Sequence, residues 1–221
     1  MDSILEPILT SPLMPNYLKE LNAAAESEAA RRKRFYKELT GEEKAEFING
    51  EVIFQSPTTI EHTKINSRIE NLMANFVRLN CPKAEVLQEK ALISLTRNDY
   101  EPDLSYFSAA TATEFTPKQM QFPAPDLAIE ILSNSTKNRD TGIKFDDYAA
   151  HGVIEYWIVD PYEETIEQFI IGEGDKFKLH KKLRRSDKIV CRVIAGFDCP
   201  LEAFFDDNAN LSELKRIIES A

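Results

Sequence analysis

Residues 125–132 read Pro-Asp-Leu-Ala-Ile-Glu-Ile-Leu, a stretch that is apolar on both faces of an extended chain except at Asp126 and Glu130. Such a stretch belongs in the middle of a sheet, covered from both sides. Ser133-Asn134-Ser135-Thr136 follows and offers several helix caps; a helix is predicted from there to about Ala150, with Gly152 as its stop. Residues 153–160, Val-Ile-Glu-Tyr-Trp-Ile-Val-Asp, form a second buried strand. Strand, helix and strand in this order make a βαβ unit, so the two strands run parallel with a right-handed crossover.

The remaining chain is read around that unit. The first 15 residues carry no regular pattern, and residues 16–39 are rich in Ala, Glu, Lys and Arg, as a helix would be. Asn16 is placed to cap its start, and the Arg-Arg-Lys-Arg run at 31–34 suits the negative pole of its macrodipole. Asn49-Gly50, between Glu46-Phe47-Ile48 and Glu51-Val52-Ile53-Phe54, marks a hairpin with a type I′ turn. Ser56-Pro57 opens a helix over about 58–80, with Ile65, Ile69, Leu72, Phe76 and Leu79 on one stripe and Pro82 at its end. Residues 85–95 read as extended, 101–107 as a short strand with a polar head, and 108–124 as a loop. After Pro161 come strands at 165–171, 177–183 and 189–194, an antiparallel meander, then a helix from Leu211 with Asn210 and Glu213 as a capping box. No repeat or linker divides the chain. The expected fold is one α/β domain over 40–221, a mixed sheet flanked by helices, preceded by a helical extension over 1–39.

Composition narrows the function classes. At 221 residues, with 43% hydrophobic and 29% charged, the chain can bury a core without disulfides or metal. Cys81, Cys191 and Cys199 form neither a disulfide framework nor a zinc knuckle and point to a reducing compartment. No apolar run is long enough to span a membrane, and the N-terminus lacks a basic leader, so a cytoplasmic location and no membrane partner are expected. The net charge of −10 argues against coating nucleic acid by bulk electrostatics. The positive charge is clumped, however: residues 176–188 read Lys-Phe-Lys-Leu-His-Lys-Lys-Leu-Arg-Arg-Ser-Asp-Lys. Lys181, Lys182, Arg184 and Arg185 there are either DNA contacts or a solvated strand face.

Nucleotide-cradling, serine-hydrolase and zinc-protease motifs are absent, and His62, His151 and His180 show no ligand spacing. What stands out is carboxylates at strand positions. Asp103 follows Pro102, and Glu130 lies inside the most apolar strand, where an uncompensated charge costs several kcal/mol. By the period of two, Asp126, Ala128 and Glu130 share one face, and Leu127, Ile129 and Ile131 the other. Two carboxylates from neighbouring strands suit Mg²⁺, and with Lys144 in the next helix they suit metal-assisted phosphodiester hydrolysis. The bland alternatives are a turn cap at Asp103, a structural pair of Glu130 with Lys144 or Arg139, and a solvated Lys144 paired with Asp140.

The string Glu101-Pro102-Asp103-Leu104, then Pro125 to Thr136, Arg139-Asp140, Lys144, Tyr148-Ala149, Gly152-Val153 and Glu155 to Pro161, resembles the Uma-type restriction endonucleases of the PD-(D/E)XK superfamily. Ile48-Asn49-Gly50-Glu51 and Glu61-His62 fit the same pattern, and the resemblance covers about 40–205. It implies a restriction-endonuclease-like core and DNA cleavage with Mg²⁺, for which Mn²⁺ can substitute. It implies Asp103 and Glu130 as metal ligands, joined by the carbonyl of Ile131. The superfamily lysine is missing from its usual place, which is Leu132, and Lys144 matches the family's lysine in the following helix. His62 is either near the metal or a phosphate, or a helix-start histidine bonded to backbone. Glu46 and Glu51 either approach the metal or decorate a hairpin; Asp126 either binds metal or orders the loop 133–136. Cutting both strands suggests a homodimer, which the N-terminal helix could serve. The competing reading is a catalytically silent binding or scaffold protein on the nuclease fold, which the acidic net charge favours.

Overall fold

The computed structural model describes residues 5–39 and 44–220, so the expected boundary between extension and domain, at 39/40, falls partly outside the described residues. The chain enters through α1 (Glu6–Leu9) and α2 (Met14–Glu38), then the hairpin β1 (Ala45–Ile48) and β2 (Glu51–Phe54). Helix α3 (Ile60–Asn80) precedes β3 (Glu85–Gln88), β4 (Leu92–Ser94), β5 (Asp99–Tyr100) and β6 (Leu104–Phe107). After α4 (Ala109–Ala112) and β7 (Gln121–Phe122) comes β8 (Leu127–Ile131), joined through α5 (Lys137–Asp140) and α6 (Ile143–Ala150) to β9 (Glu155–Asp160). The rest is β10 (Thr165–Ile171), β11 (Phe177–Arg184), β12 (Lys188–Val190), β13 (Asp198–Pro200), α7 (Glu202–Phe205) and α8 (Asp207–Glu219).

The main sheet runs β11-β10-β9-β8-β6-β3, and the expected parallel pair β8–β9 lies at its centre. Its two faces follow the alternation read from the sequence. Leu127, Ile129 and Ile131 join Trp157 and Val159 under α3 and α7, while Ala128 joins Tyr156, Ile158 and Tyr148 of α6. Asn49 and Gly50 both take positive φ (51° and 85°), the backbone a type I′ turn demands. That hairpin belongs to a second sheet, β2-β1-β5-β4-β7. Residues 85–95 are therefore split between the two sheets, β3 in one and β4 in the other.

Several expectations are corrected. The helix after β8 is broken at Gly142, where a Cβ would stand 2.6 Å from the carbonyl oxygen of Asn138. The third strand of the meander leaves the sheet and pairs with β13 instead. The reason is Glu155, fully buried, whose Oε2 accepts from the backbone N–H groups of Arg192 and Val193 at 2.7 and 3.2 Å. Donors given to a carboxylate are lost to a strand ladder. The last helix starts at Asp207, capped by Asp206, which accepts from the N–H groups of Asn208 and Ala209. Asn210 lies inside that helix and donates to the carbonyls of Arg68 and Ala203, while Glu213 pairs with Arg216. Helix α2 begins at Met14 with a proline in its first turn, so Asn16 is not its cap, and α1 lies within the stretch read as irregular.

The last turns of α2 are built into the second sheet. Arg32 grips the buried Asp99 with Nε and Nη2 at 2.6 and 2.8 Å, and also donates to the carbonyls of Leu95 and Thr96. Arg31 donates to the Gly50 carbonyl at 2.8 Å, and Phe35 stacks on Phe47. Half of the basic run at 31–34 thus holds the helix to the domain. Among the described residues, no helix is long and apolar enough to cross a membrane.

Candidate active site

The chain passes from the second sheet to the main sheet through Glu101-Pro102-Asp103, between β5 and β6. In the antiparallel pair β6–β8, Leu104 stands opposite Ile129, so one step further Asp103 comes opposite Glu130, on the same face. The amide of Ile131 donates to Asp103 Oδ2 at 2.8 Å and fixes that carboxylate at the strand end. Both acids are buried, and both line a cleft of about 200 Å³ together with Thr59, His62, Ile131 and Ser133.

Lys144 enters this place from α6. Its Nζ lies 2.9 Å from Glu130 Oε1, 2.8 Å from Glu46 Oε1 and 3.3 Å from Asp140 Oδ1, and the side chain is 1% exposed. Asp140, Lys144 and Tyr148 share one helical face, and the Tyr148 hydroxyl completes the set on Glu130 Oε1 at 3.4 Å. Asp140 is thus Lys144's partner four residues earlier, as expected, but inside the protein rather than in solvent. Glu46 arrives from β1, where its Oε1 also accepts the Glu101 amide at 3.1 Å. Its Oε2 is buried without a hydrogen-bond partner.

A second set gathers on Asp103. Lys44 Nζ lies 3.0 Å from Oδ1 and His62 Nε2 lies 3.2 Å from Oδ2. His62 is placed by Thr59, which caps α3 and accepts its amide. Burial alone would push the Asp103 carboxyl up, but His62 and Lys44 hold it below the usual range. Burial depresses the His62 imidazolium, and the Asp103 partner more than restores it, so its pKa is raised. Glu130 has the opposite balance: burial raises it far above a normal carboxyl, more than Lys144 can offset, with Asp140, Asp103 and Glu46 adding to the rise. Burial likewise lifts Glu101 to about 7. Lys144 would lose its proton to burial were it not for the three carboxylates, which push its pKa well above 10.5.

Five buried carboxyls, Glu46, Glu101, Asp103, Glu130 and Asp140, thus face the ammonium groups of Lys44 and Lys144 and the imidazole of His62. The positive charge falls short even with His62 protonated. Burial raises the pKa of Glu130, Asp140 and Glu101, which favours protons there, and a divalent cation would serve the same end. The oxygen-rich donors, the partnerless Glu46 Oε2 and the opening at Asp103, Glu130 and Ile131 fit such an ion.

Of the residues read from sequence, Asp103, Glu130, Ile131, Lys144, His62 and Glu46 come together. Glu51 does not: it is exposed on β2. Asp126 shares the face of Glu130 but sits at the other end of β8, where it accepts the Ser108 amide at 2.7 Å, so it orders neither the metal nor the loop 133–136. Lys181, Lys182, Arg184 and Arg185 lie on or just past the edge strand β11, with β10 and β9 between it and β8. Lys182 is paired with Glu167 and Arg185 with Glu164. Sequence reasoning missed Lys44 as a site residue; only its position two residues before Glu46, on the same face of an extended chain, could have signalled it.

A sequence profile of the family described as "Uma2: Putative restriction endonuclease" matches residues 33–202. Among solved structures, the chain is similar to a crystal structure of a putative nuclease belonging to DUF820 from Anabaena variabilis, with a TM-score of 0.62 and 19% identity, over 77% of this chain and 90% of that one. At that identity the likeness is one of fold. A search of curated proteins finds no match.

Proposed function

Because the chain belongs to the Uma2 family, we propose that it hydrolyses phosphodiester bonds in DNA with Mg²⁺, or with Mn²⁺ in its place. The observation that carries this reading is the Lys144–Glu130 pair at 2.9 Å, which returns an ammonium to the strand end although Leu132 stands where the superfamily motif has its lysine. Asp103, Glu130 and the carbonyl of Ile131 are the groups that would hold the cation, with Glu46 beside them. A bound cation supplies charge for the phosphate oxygens and lowers the pKa of water. The ammonium of Lys144, held by three carboxylates behind the cleft, fixes the place and charge of Glu130 and adds positive potential at the attacked phosphate without touching it. His62 and the Ile131 amide keep Asp103 turned toward the cleft. Glu130, whose charge burial makes costly, would be the ligand whose ionisation a bound cation favours.

The test is a Mg²⁺ and Mn²⁺ titration with supercoiled and single-stranded DNA, using Glu130→Gln as the control. Cation-dependent nicking that the control lacks supports the nuclease. DNA left intact at every cation concentration by protein that binds the cation would favour the silent scaffold.

A further inference from the structure

We propose a second cation site, formed by His62, Glu89 and Asp103, that takes a divalent ion of the first transition row such as Mn²⁺ or Zn²⁺. The proposal rests on the reading above in one respect, that Asp103 is also a ligand of the catalytic cation.

One donor atom from each of the three side chains lies within 4.8 Å of the other two, and among the described residues no other set of three His, Cys, Asp or Glu meets that condition. Three distant parts of the chain produce it. Thr59 caps α3 and so fixes His62 in its first turn, with Nε2 3.2 Å from Asp103 Oδ2. Glu89 comes from the turn between β3 and β4 and is exposed. Asn66, one helical turn after His62, reaches Glu89 Oε1 with its amide at 3.4 Å. Its Oδ1 is buried and has no hydrogen-bond partner, and the same holds for His62 Nδ1. Asn66 is 6% exposed and His62 4%. The Asn66 oxygen, one turn from His62 on a side chain whose amide reaches Glu89, is costly to bury unless a ligand or its water meets it.

The donor types select the ion. Mg²⁺ prefers oxygen alone, whereas imidazole with carboxylates suits Zn²⁺ and its neighbours in the first transition row. The exposed Glu89 gives such an ion a path from solvent and room to keep water ligands. Lys44 covers Asp103 Oδ1, so the ion would take Oδ2, sharing it with the Ile131 amide and replacing the contact between that oxygen and His62 Nε2.

Isothermal titration of the full chain with Mn²⁺ alone, without DNA, reads the stoichiometry. Two ions per chain are expected for the unaltered protein, one for Glu89→Gln and one for Glu130→Gln. Glu89 is a surface residue, and an unchanged thermal midpoint for Glu89→Gln shows that the variant is folded. Equal stoichiometry for Glu89→Gln and the unaltered protein overturns the second site, whatever Glu130→Gln does. If instead Glu89→Gln loses an ion and Glu130→Gln loses none, the second site stands and the catalytic one falls. No binding of Mn²⁺ to the unaltered protein overturns both.

Discussion

Lys144 Nζ and Glu130 Oε1 lie 2.9 Å apart although one side chain leaves a strand and the other the helix that follows it. The ammonium also meets Glu46 and Asp140, so it holds three carboxyls together where almost no solvent reaches. Its removal therefore has two consequences. Lys144→Met should lower the cleavage rate by ~10²–10³, the range for one preorganised donor. It should also cost roughly 3–5 kcal/mol of stability at neutral pH, because charges are left buried without a partner. That second loss should shrink as the pH falls, since carboxyls whose folded pKa is raised contribute stability that is present at low pH and lost as the pH climbs. Denaturant unfolding at several pH values, beside nicking assays, separates the two effects.

Glu101 should give the chain a pH-dependent stability of its own. Burial raises its pKa from 4.5 to about 7, so the folded protein holds a proton that the unfolded chain has released between those values. Its contribution is complete below 4.5 and fades as the pH passes about 7. Glu101→Gln keeps an oxygen for the Ala45 amide and carries no charge to bury. The fall in unfolding free energy between about pH 4 and about pH 8 should be smaller in this variant than in the parent; an equal fall would place the pH dependence elsewhere.

Arg32 should prove the anchor of α2. Replacing it with alanine leaves Asp99 buried with Tyr36 and Ser94 as its side-chain partners among the described residues, at an expected cost of roughly 3 kcal/mol by analogy with other broken buried pairs. Limited proteolysis should then cut within α2. Removing residues up to 13 should change stability little, since α1 buries no residue.

The basic run on β11 makes a quantitative claim on DNA binding. Lys182 and Arg185 already have carboxylate partners, at 2.8 and 2.9 Å, so Lys181 and Arg184 remain for phosphates. Neutralising all four should lower the salt slope of binding by about 2 rather than about 4, at ~0.9 for each phosphate contact. Measuring binding across a range of salt concentrations decides, and an unchanged slope would leave that strand a solvated surface.

The βαβ unit and the reach of Lys144 were legible because both are local patterns. A strand apolar on two faces, a helix bounded by caps and glycine, and a spacing of four all lie within forty residues. What the sequence hid was long-range. Period two puts Asp126 on the face of Glu130 but is silent about which end of the strand faces the cleft. Nothing near Val86 or Ile93 says that β3 and β4 join different sheets, since each is only three or four residues long. The departure of β12 follows from Glu155, more than thirty residues upstream, whose carboxylate takes the amides a strand would have used. Lys44 was overlooked because it is not itself part of a recognisable motif, and its role is visible only once Asp103 is beside it.

The passage between the sheets has no slack. Glu101 is tied to Ala45 and Glu46 on one side, and two residues later Asp103 is tied to the Ile131 amide on the other. A residue added there could bulge only by breaking one of these ties, and a residue removed would pull the acid off the strand end. An added residue would be absorbed far more easily in the surface turn 172–176, where Gly174 and Asp175 already take positive φ. Between Tyr100 and Leu104 the number of residues is set by ties at both ends, just as the acid at Asp103 is set by the cleft it enters.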